Sequence, residues 1–408
     1  MTDNKVLKIT DDVSWIGVLD PDIRTFDIVM ETKFGTTYNS YFINAQKKAV
    51  VEVCKEKFWE TYLAKLTTLT KPEEIEYIIL NHTEPDHSGN VKNLLKLAPK
   101  AKIVGSGNVI RFLTDLVNEP FESIEMKHGD VLDLGNKKLQ FISATNLHWP
   151  DTTYTYLIED KVLFTCDSFG AHYCNPEMYE DKVGNFDEAF EYYFDVIMKP
   201  YAKFMLKAIE KIRPLDIKAI CTGHGPLLTH DWKRYVDLSE KYAREALKFP
   251  EGERVFIAYV SSYGNTKLMA EAIAQGVSKV PDIEVDVCDI EKFTFHQLDE
   301  KLTNATAVII GSPTINKNTF LPVYTLFAAV SPLRDKGKLA GCFGSYGWSG
   351  EVVKILEGNF LGLKFELFPG NLFVKFTPSE EELQRCVEYG ETFANKMMDM
   401  KCTLTVNS

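Results

Sequence analysis

Five apolar runs, VFIAYV, EVDVCDI, AVIIGSP, LAGCFGSY and LFVKF, alternate with helix-length segments from Val255 towards the C-terminus. A β-α alternation of this kind leaves little choice of architecture. The strands must lie parallel, with helices covering both faces, as a doubly wound sheet. The rhythm does not extend backwards. Before residue 250 the chain reads as short strands, first TFDIVME, TYNSYFIN and KAVVEVC, later KLQFISAT, TYTYLIE and KVLFTC. Their close spacing is that of stacked sheets. A long helical stretch over 186–213 and a last short strand, IKAICTG, follow. Between the two rhythms lies KFPEGERV, whose Pro, Gly and charges suit a linker. A chain of 408 residues also exceeds what one ordinary core supports. The expectation is two domains, 1–250 and 251–408.

Composition narrows the function. A net charge of −12 disfavours a nucleic-acid or anionic-membrane surface, since phosphate binding needs clustered Lys and Arg. No run approaches the ~18 apolar residues of a membrane span, and MTDNKVLKITDD lacks the apolar segment of a secretory signal. The eight cysteines are scattered, with no C-x-x-C pair, as expected of reduced thiols in a cytoplasm.

The segment NHTEPDHSGN packs His82, Glu84, Asp86 and His87 directly after the apolar run YIIL. Buried acids are costly unless paired, so this density of acids and imidazoles points to a metal. Three further candidates stand at strand ends: His148 in NLHWPD, Asp167 in FTCDSFG and His224 in CTGHGP. Seven ligands exceed one tetrahedral ion and suit two metals sharing a carboxylate. Imidazole with carboxylate, and no thiolate, favours iron, manganese or zinc. His128, His172, His230 and His296 lack acidic company at this spacing and read as ordinary core or surface histidines.

A second constellation follows VFIAYV. Ser261, Ser262, Tyr263, Gly264, Asn265 and Thr266 lead straight into a helix, where hydroxyls and free backbone N–H groups cradle a phosphate. The loop is neither G-x-x-x-x-G-K-[ST] nor G-x-G-x-x-G, which disfavours a triphosphate or a dinucleotide and suits the monophosphate of FMN. Two more loops end the third and fourth strands. One offers Ser312, Pro313, Thr314, Ile315, Asn316 and Asn318 to the edge of a flavin ring. The other offers Ser345, Tyr346, Gly347, Trp348, Ser349 and Gly350, with two aromatic rings to stack on it.

The H-x-E-x-D-H motif with His148, Asp167 and His224 in that order resembles the metallo-β-lactamase superfamily, an αβ/βα sandwich. Most hydrolases of that superfamily carry histidine where this chain has Glu84. A carboxylate there favours iron over zinc, and redox chemistry over hydrolysis. Residues 253–408 resemble flavodoxin. Together the halves resemble the flavodiiron proteins. The resemblance implies one iron on His82, Glu84 and His148, a second on Asp86, His87 and His224, and Asp167 bridging them. It implies reduction of dioxygen to water, of nitric oxide to nitrous oxide, or of both. It further implies a head-to-tail homodimer, or a homotetramer built from such dimers. In it, the FMN of one protomer faces the irons of the other. With no rubredoxin-type C-x-x-C knuckles in the chain, electrons are expected from a separate donor such as rubredoxin or a reduced deazaflavin. The alternative is a dinuclear metal hydrolase whose flavodoxin-like domain is regulatory.

Overall fold

The inner strands of the first unit, Lys48–Val51, Val162–Cys166 and Ala219–Thr222, are apolar or buried along nearly their whole length, so they bury both faces. The computed structural model describes residues 5–26, 30–248 and 252–406. Among these, the chain divides into two compact units, Met1–Lys248 and Phe249–Ser408. Residues 249–251 of the expected linker lie outside the described ones.

In the first unit, a seven-stranded sheet runs in the order Leu7–Lys8, Val13–Trp15, Tyr41–Ile43, Lys48–Val51, Ile75–Ile79, Lys102–Gly105, Ser123–Glu125. A five-stranded sheet runs Val131–Asp133, Lys138–Ser143, Thr153–Leu157, Val162–Cys166, Ala219–Thr222. Tyr41, Ile43, Val51, Ile79 and Val104 of one sheet meet Phe141, Leu157, Phe164 and Cys221 of the other in a shared core. The alternate positions, Phe42, Val50, Ile78 and Ile103, pack outward on Tyr62, Leu66, Leu94 and Leu113 of the flanking helices. On the far side Tyr154, Leu163 and Ile220 pack on Phe190, Met205, Ile209 and Val236. Helix, sheet, sheet, helix is the αβ/βα sandwich. Each fully buried side chain of this size contributes ~2 kcal/mol to holding the layers together.

Three segments depart from the sequence reading, each for a local reason. TFDIVME forms two short strands, Thr25–Phe26 and Met30–Glu31, paired antiparallel, with 27–29 outside the described residues. TYNSYFIN breaks in two: Thr36–Tyr38 pairs with Val18–Asp20, and Tyr41–Ile43 joins the large sheet. The break is at Asn39, whose side chain accepts from Trp15 Nε1 at 2.9 Å and donates to the Thr222 and Gly225 carbonyls at 3.0 Å. The stretch 186–213 is not one helix. Asp187–Tyr193 runs into a π turn, Phe194–Met198, and a tight turn, Lys199–Tyr201, before Ala202–Ile212 resumes. Pro200 lacks the N–H a continuous helix needs.

The second unit is the doubly wound sheet. Its strands lie in the order Ile283–Asp289, Glu253–Tyr259, Ala307–Gly311, Leu339–Tyr346, then Glu366–Leu367, all parallel. Leu372–Lys375, the expected fifth strand, also pairs with Leu339–Tyr346, so the last position is shared by two short strands. The sequence reading passed over the helix Phe295–Asn304. Its signal was present in T-x-x-Q: Thr294 and Gln297 form a reciprocal capping box. On one face, Asn265–Val277 and Glu380–Val406 approach backbone to backbone at Gly276 and Gly390.

Candidate metal centre and flavin cradle

All seven candidate ligands meet at one rim of the sandwich. His82, Glu84, Asp86 and His87 follow Ile75–Ile79, the last two in a short helix, Pro85–Ser88. His148 stands in the connection between Lys138–Ser143 and Thr153–Leu157, Asp167 follows Val162–Cys166, and His224 follows Ala219–Thr222. One sheet thus supplies four ligands and the other three. The spatial arrangement is two clusters about one carboxylate. Asp167 Oδ2 lies 3.6 Å from His82 Nε2 and 3.4 Å from His148 Nε2. Glu84 Oε2 lies 3.2 and 3.1 Å from the same nitrogens. Asp167 Oδ1 lies 2.9 Å from His87 Nε2 and 3.4 Å from His224 Nε2. Asp86 Oδ2 completes that side, 3.5 and 3.1 Å from those nitrogens.

These groups fit a pair of cations. Both oxygens of Asp86, both ring nitrogens of His87 and Asp167 Oδ2 are buried without a hydrogen-bond partner. Such orphans are rare in native interiors. Their concentration here is explained if ions take the place of partners. Electrostatics agree. Burial pulls His148 and His224 down, but Asp167 with Glu84 or Asp86 more than offsets it and raises them to about 9 and about 10. Burial raises Glu84 and Asp86, yet the facing imidazoles bring both down to about 2. The carboxylates demand positive charge, supplied by protons when no metal is bound.

A pH dependence follows. Both histidines lie above the ordinary ~6.5, so in the metal-free chain each is protonated at pH 7 and must release that proton to bind. Metal affinity is expected to rise about tenfold per pH unit for each proton displaced, levelling above about pH 10. The same shifts stabilise the metal-free fold fully below ~6.5 and lose that contribution as pH climbs through 9 and 10. Calorimetry in buffers of different ionisation enthalpy reads the protons. Melting of stripped and loaded protein from pH 7 to 10 reads the stability, which falls only in the stripped form.

Side chains that sequence reasoning missed hold the ligands. Asp151 is buried and accepts from Thr83 N–H at 2.8 Å and the Thr83 hydroxyl at 2.6 Å. Its other oxygen meets His82 Nδ1 at 3.1 Å, which turns Nε2 towards the cluster. His224 Nδ1 is held by the Thr37 carbonyl at 2.6 Å. His172, read as an ordinary histidine, is buried with its ring 5.2 Å from that of His224 and Nδ1 on the Thr36 hydroxyl at 2.9 Å. Burial and the charge of His224 keep it well below its usual pKa, hence neutral. With Phe26 and Tyr193 it forms an apolar wall beside the second cluster. Only His148 and Glu84 have side chains with appreciable exposure, 19% and 16%, so the first cluster faces outward.

A 500 Å³ surface cavity lies elsewhere, at the N-terminal ends of Ile75–Ile79 and Lys102–Gly105. It is lined by lysines and glutamates with no histidine, at the opposite strand ends from the ligands.

In the second unit the three loops sit at the carboxyl ends of adjacent parallel strands, where open sheets bind ligands. Gly264 takes φ +86° to open the helix Asn265–Val277, and Ser261 Oγ accepts from Lys267 N–H at 3.2 Å. Thr266 is buried, its hydroxyl 3.1 Å from that of Ser345, which ties the first loop to the third. Ser262, Tyr263 and Asn265 ring this helix start, Tyr263 being 88% exposed. In the second loop Ser312 and Pro313 are buried, and the Ser312 hydroxyl is taken up by Pro313 O and Thr319 Oγ1. They brace the loop. Asn316 and Lys317 turn it through positive φ between Ile315 and Asn318. Thr314 and Ile315 face Gly347, Trp348 and Ser349 across a 180 Å³ pocket. Thr314 Oγ1 is buried without a partner and Trp348 is 75% exposed, features that fit a flavin held between these loops. Tyr346 and Gly350 pack together at the loop's end. Thr266→Val keeps shape and removes the hydroxyl. It is expected to weaken FMN binding about tenfold by fluorescence titration while metal content is unchanged.

Residues 36–225 match the family model described as ODP family beta lactamase, and 257–390 that of flavodoxin. The chain is 35% identical over 403 residues to flavo-diiron protein FprA2 of Clostridium acetobutylicum, covering 96% of this chain and 99% of the relative. It is 38% identical to the type A flavoprotein fprA of Rhodobacter capsulatus, covering 95% and 89%. Among solved structures, rubredoxin oxygen:oxidoreductase from Desulfovibrio gigas superposes with a TM-score of 0.73 at 27% identity, covering 97% and 99%. The flavodiiron protein from Giardia intestinalis superposes with 0.69 at 27%, covering 97% of each chain. Sandwich, doubly wound sheet and relatives of nearly equal span agree: the chain belongs to the flavodiiron proteins, the type A flavoproteins.

Proposed function

We propose that this chain reduces dioxygen to water, with nitric oxide reduction to nitrous oxide as a second activity, using FMN and a non-haem iron pair. The observation that carries this is the placement of Asp167 between two clusters, each completed by a carboxylate and two imidazoles. Glu84 lies within hydrogen-bonding distance of both His82 and His148, so the hard donor is in the ligand set, which favours iron over a hydrolytic zinc pair. His82, Glu84 and His148 would hold one iron, Asp86, His87 and His224 the other, and Asp167 both.

When bound, FMN supplies single electrons from a two-electron store and the irons supply a reducing site with affinity for a small gas. The protein's own part is to hold and to exclude. Asp151 and the Thr37 carbonyl fix the imidazoles of His82 and His224, so that neither must reorient during turnover. Phe26, His172 and Tyr193 keep water from the second cluster. The outward edge at His148 and Glu84 is where gas, protons and electrons arrive. In the proposed assembly, the FMN of a head-to-tail partner protomer faces that edge. Rubredoxin, named for the Desulfovibrio gigas protein, or a reduced deazaflavin supplies the electrons.

The test is iron and FMN analysis of the purified chain, its mass in solution, and anaerobic reduction followed by separate challenge with each gas. Two irons, one FMN, a dimer or tetramer, and rapid reoxidation by dioxygen are expected. Zinc without iron, or a reduced protein inert to both gases, overturns the proposal.

A further inference from the structure

Glu52 directly follows the strand Lys48–Val51 in an otherwise apolar run, AVVEVC, and is 1% exposed. A carboxyl there costs several kcal/mol of desolvation unless something recovers it. Its backbone is also unusual, with φ +57°, a conformation rare outside glycine and most often kept at functional sites. That twist turns the side chain under the ligand loop. Glu52 Oε1 accepts from the N–H of Asn81, one residue before His82, at 2.9 Å. The next residue, Val53, donates its N–H to the carbonyl of His87 at 2.8 Å. Glu52–Val53 therefore grips both ends of the segment that carries four of the seven ligands.

One atom of the grip is still open. Glu52, His87 and Cys166 bring a carboxylate oxygen, an imidazole nitrogen and a thiol within 4.8 Å of one another. His87 Nε2 faces Asp167, while His87 Nδ1 and Glu52 Oε2 are both buried without a hydrogen-bond partner. Each of the other buried imidazoles of the centre has its Nδ1 held: His82 by Asp151, His224 by the Thr37 carbonyl. His87 is the exception, and Glu52 is the acceptor beside it.

We propose that Glu52 is the positioning residue of the second metal site, its Oε2 accepting the Nδ1 proton of His87 and so aiming Nε2 at the ion shared with Asp86 and His224. The assignment rests on the paired-metal reading and extends it to a side chain that touches no metal. It makes His87 a conditional ligand, retained only while Glu52 holds its ring.

The full-length chain, stripped of metal and titrated anaerobically with ferrous ion, tests this by calorimetry and iron content. The wild type takes two ions. Glu52→Gln keeps one acceptor oxygen for two donors, Asn81 N–H and His87 Nδ1, and is expected to bind the second ion more weakly than wild type but more tightly than Glu52→Leu. Glu52→Leu is expected to keep the first and bind the second at least about tenfold more weakly. In a His87→Ala background Glu52→Leu adds no further loss, because the residue acts through that ring; additive losses mean a general packing role and overturn the proposal. So does wild-type affinity for both ions in Glu52→Leu. Should that variant not fold, the zinc-loaded wild type decides by nitrogen-15 NMR. A His87 proton on Nδ1, slow to exchange, supports the assignment, and one that exchanges freely overturns it. A wild type that takes up one ion only removes the paired site itself, and Glu52's role with it.

Discussion

Asp167→Ala is expected to abolish gas reduction, lowering turnover at least about a thousandfold, while FMN stays bound at wild-type affinity. The size of the effect follows from position. Asp167 is 2% exposed, and its two oxygens lie within 3.6 Å of four different imidazoles. Any other ligand removed leaves one cluster intact; this one is common to both. Alanine also leaves four imidazoles, three of them buried, without the central anion that draws positive charge to them, so the centre loses affinity for metal as well as a donor. Iron content should fall below two per chain. The flavin cradle is built wholly from residues 261–350, in the other compact unit, and has no reason to change. Iron analysis, FMN absorbance and steady-state oxygen consumption on one preparation check all three. Retained turnover would show that Asp167 does not bridge.

Gly276→Val is expected to unfold the flavodoxin-like unit or cost it at least ~3 kcal/mol. Glycine inside a helix is itself a loss of about 1 kcal/mol against alanine, so its presence calls for a reason. The reason is close approach. A Cβ on Gly276 would stand 1.9 Å from the carbonyl oxygen of Val387, and one on Gly390 2.1 Å from that of Ile273. Both obstacles are backbone, which cannot swing aside as a side chain would. The helix Glu380–Val406 would have to lift from Asn265–Val277, uncovering Ile273, Val277, Phe393 and Met397. Since Asn265–Val277 also opens with the phosphate cradle, FMN should dissociate. Circular dichroism melts and FMN content are the measurements. Metal uptake by the first unit should persist, and its loss would mean the two units do not fold apart.

What could be read from the sequence was what lies close along it. The four ligands from His82 to His87 fall within six positions, and the strand before them is apolar, so the motif declared itself. The parallel sheet was legible because its central strands are buried on both faces and read as unbroken apolar runs. What escaped depends on the fold bringing distant residues together. Asp151 meets His82 across 69 positions, and nothing in NLHWPDTT distinguishes that aspartate from a turn residue. Glu52 left a faint mark, a lone acid in an apolar run. His172 gains its place beside His224 only through chain geometry. The broken helix at Pro200 and the break at Asn39 were missed because periodicity was weighed over single residues that end it.

The division of the ligands between two sheets has a consequence for biosynthesis. A ribosome delivers the first four donors long before it delivers His224, so an ion arriving early meets half a coordination shell and can be trapped in it. Correct loading must await the closing of the sandwich. The full ligand set exists only once His224 has been made and the two sheets have packed, so the complete shell is a property of the closed sandwich.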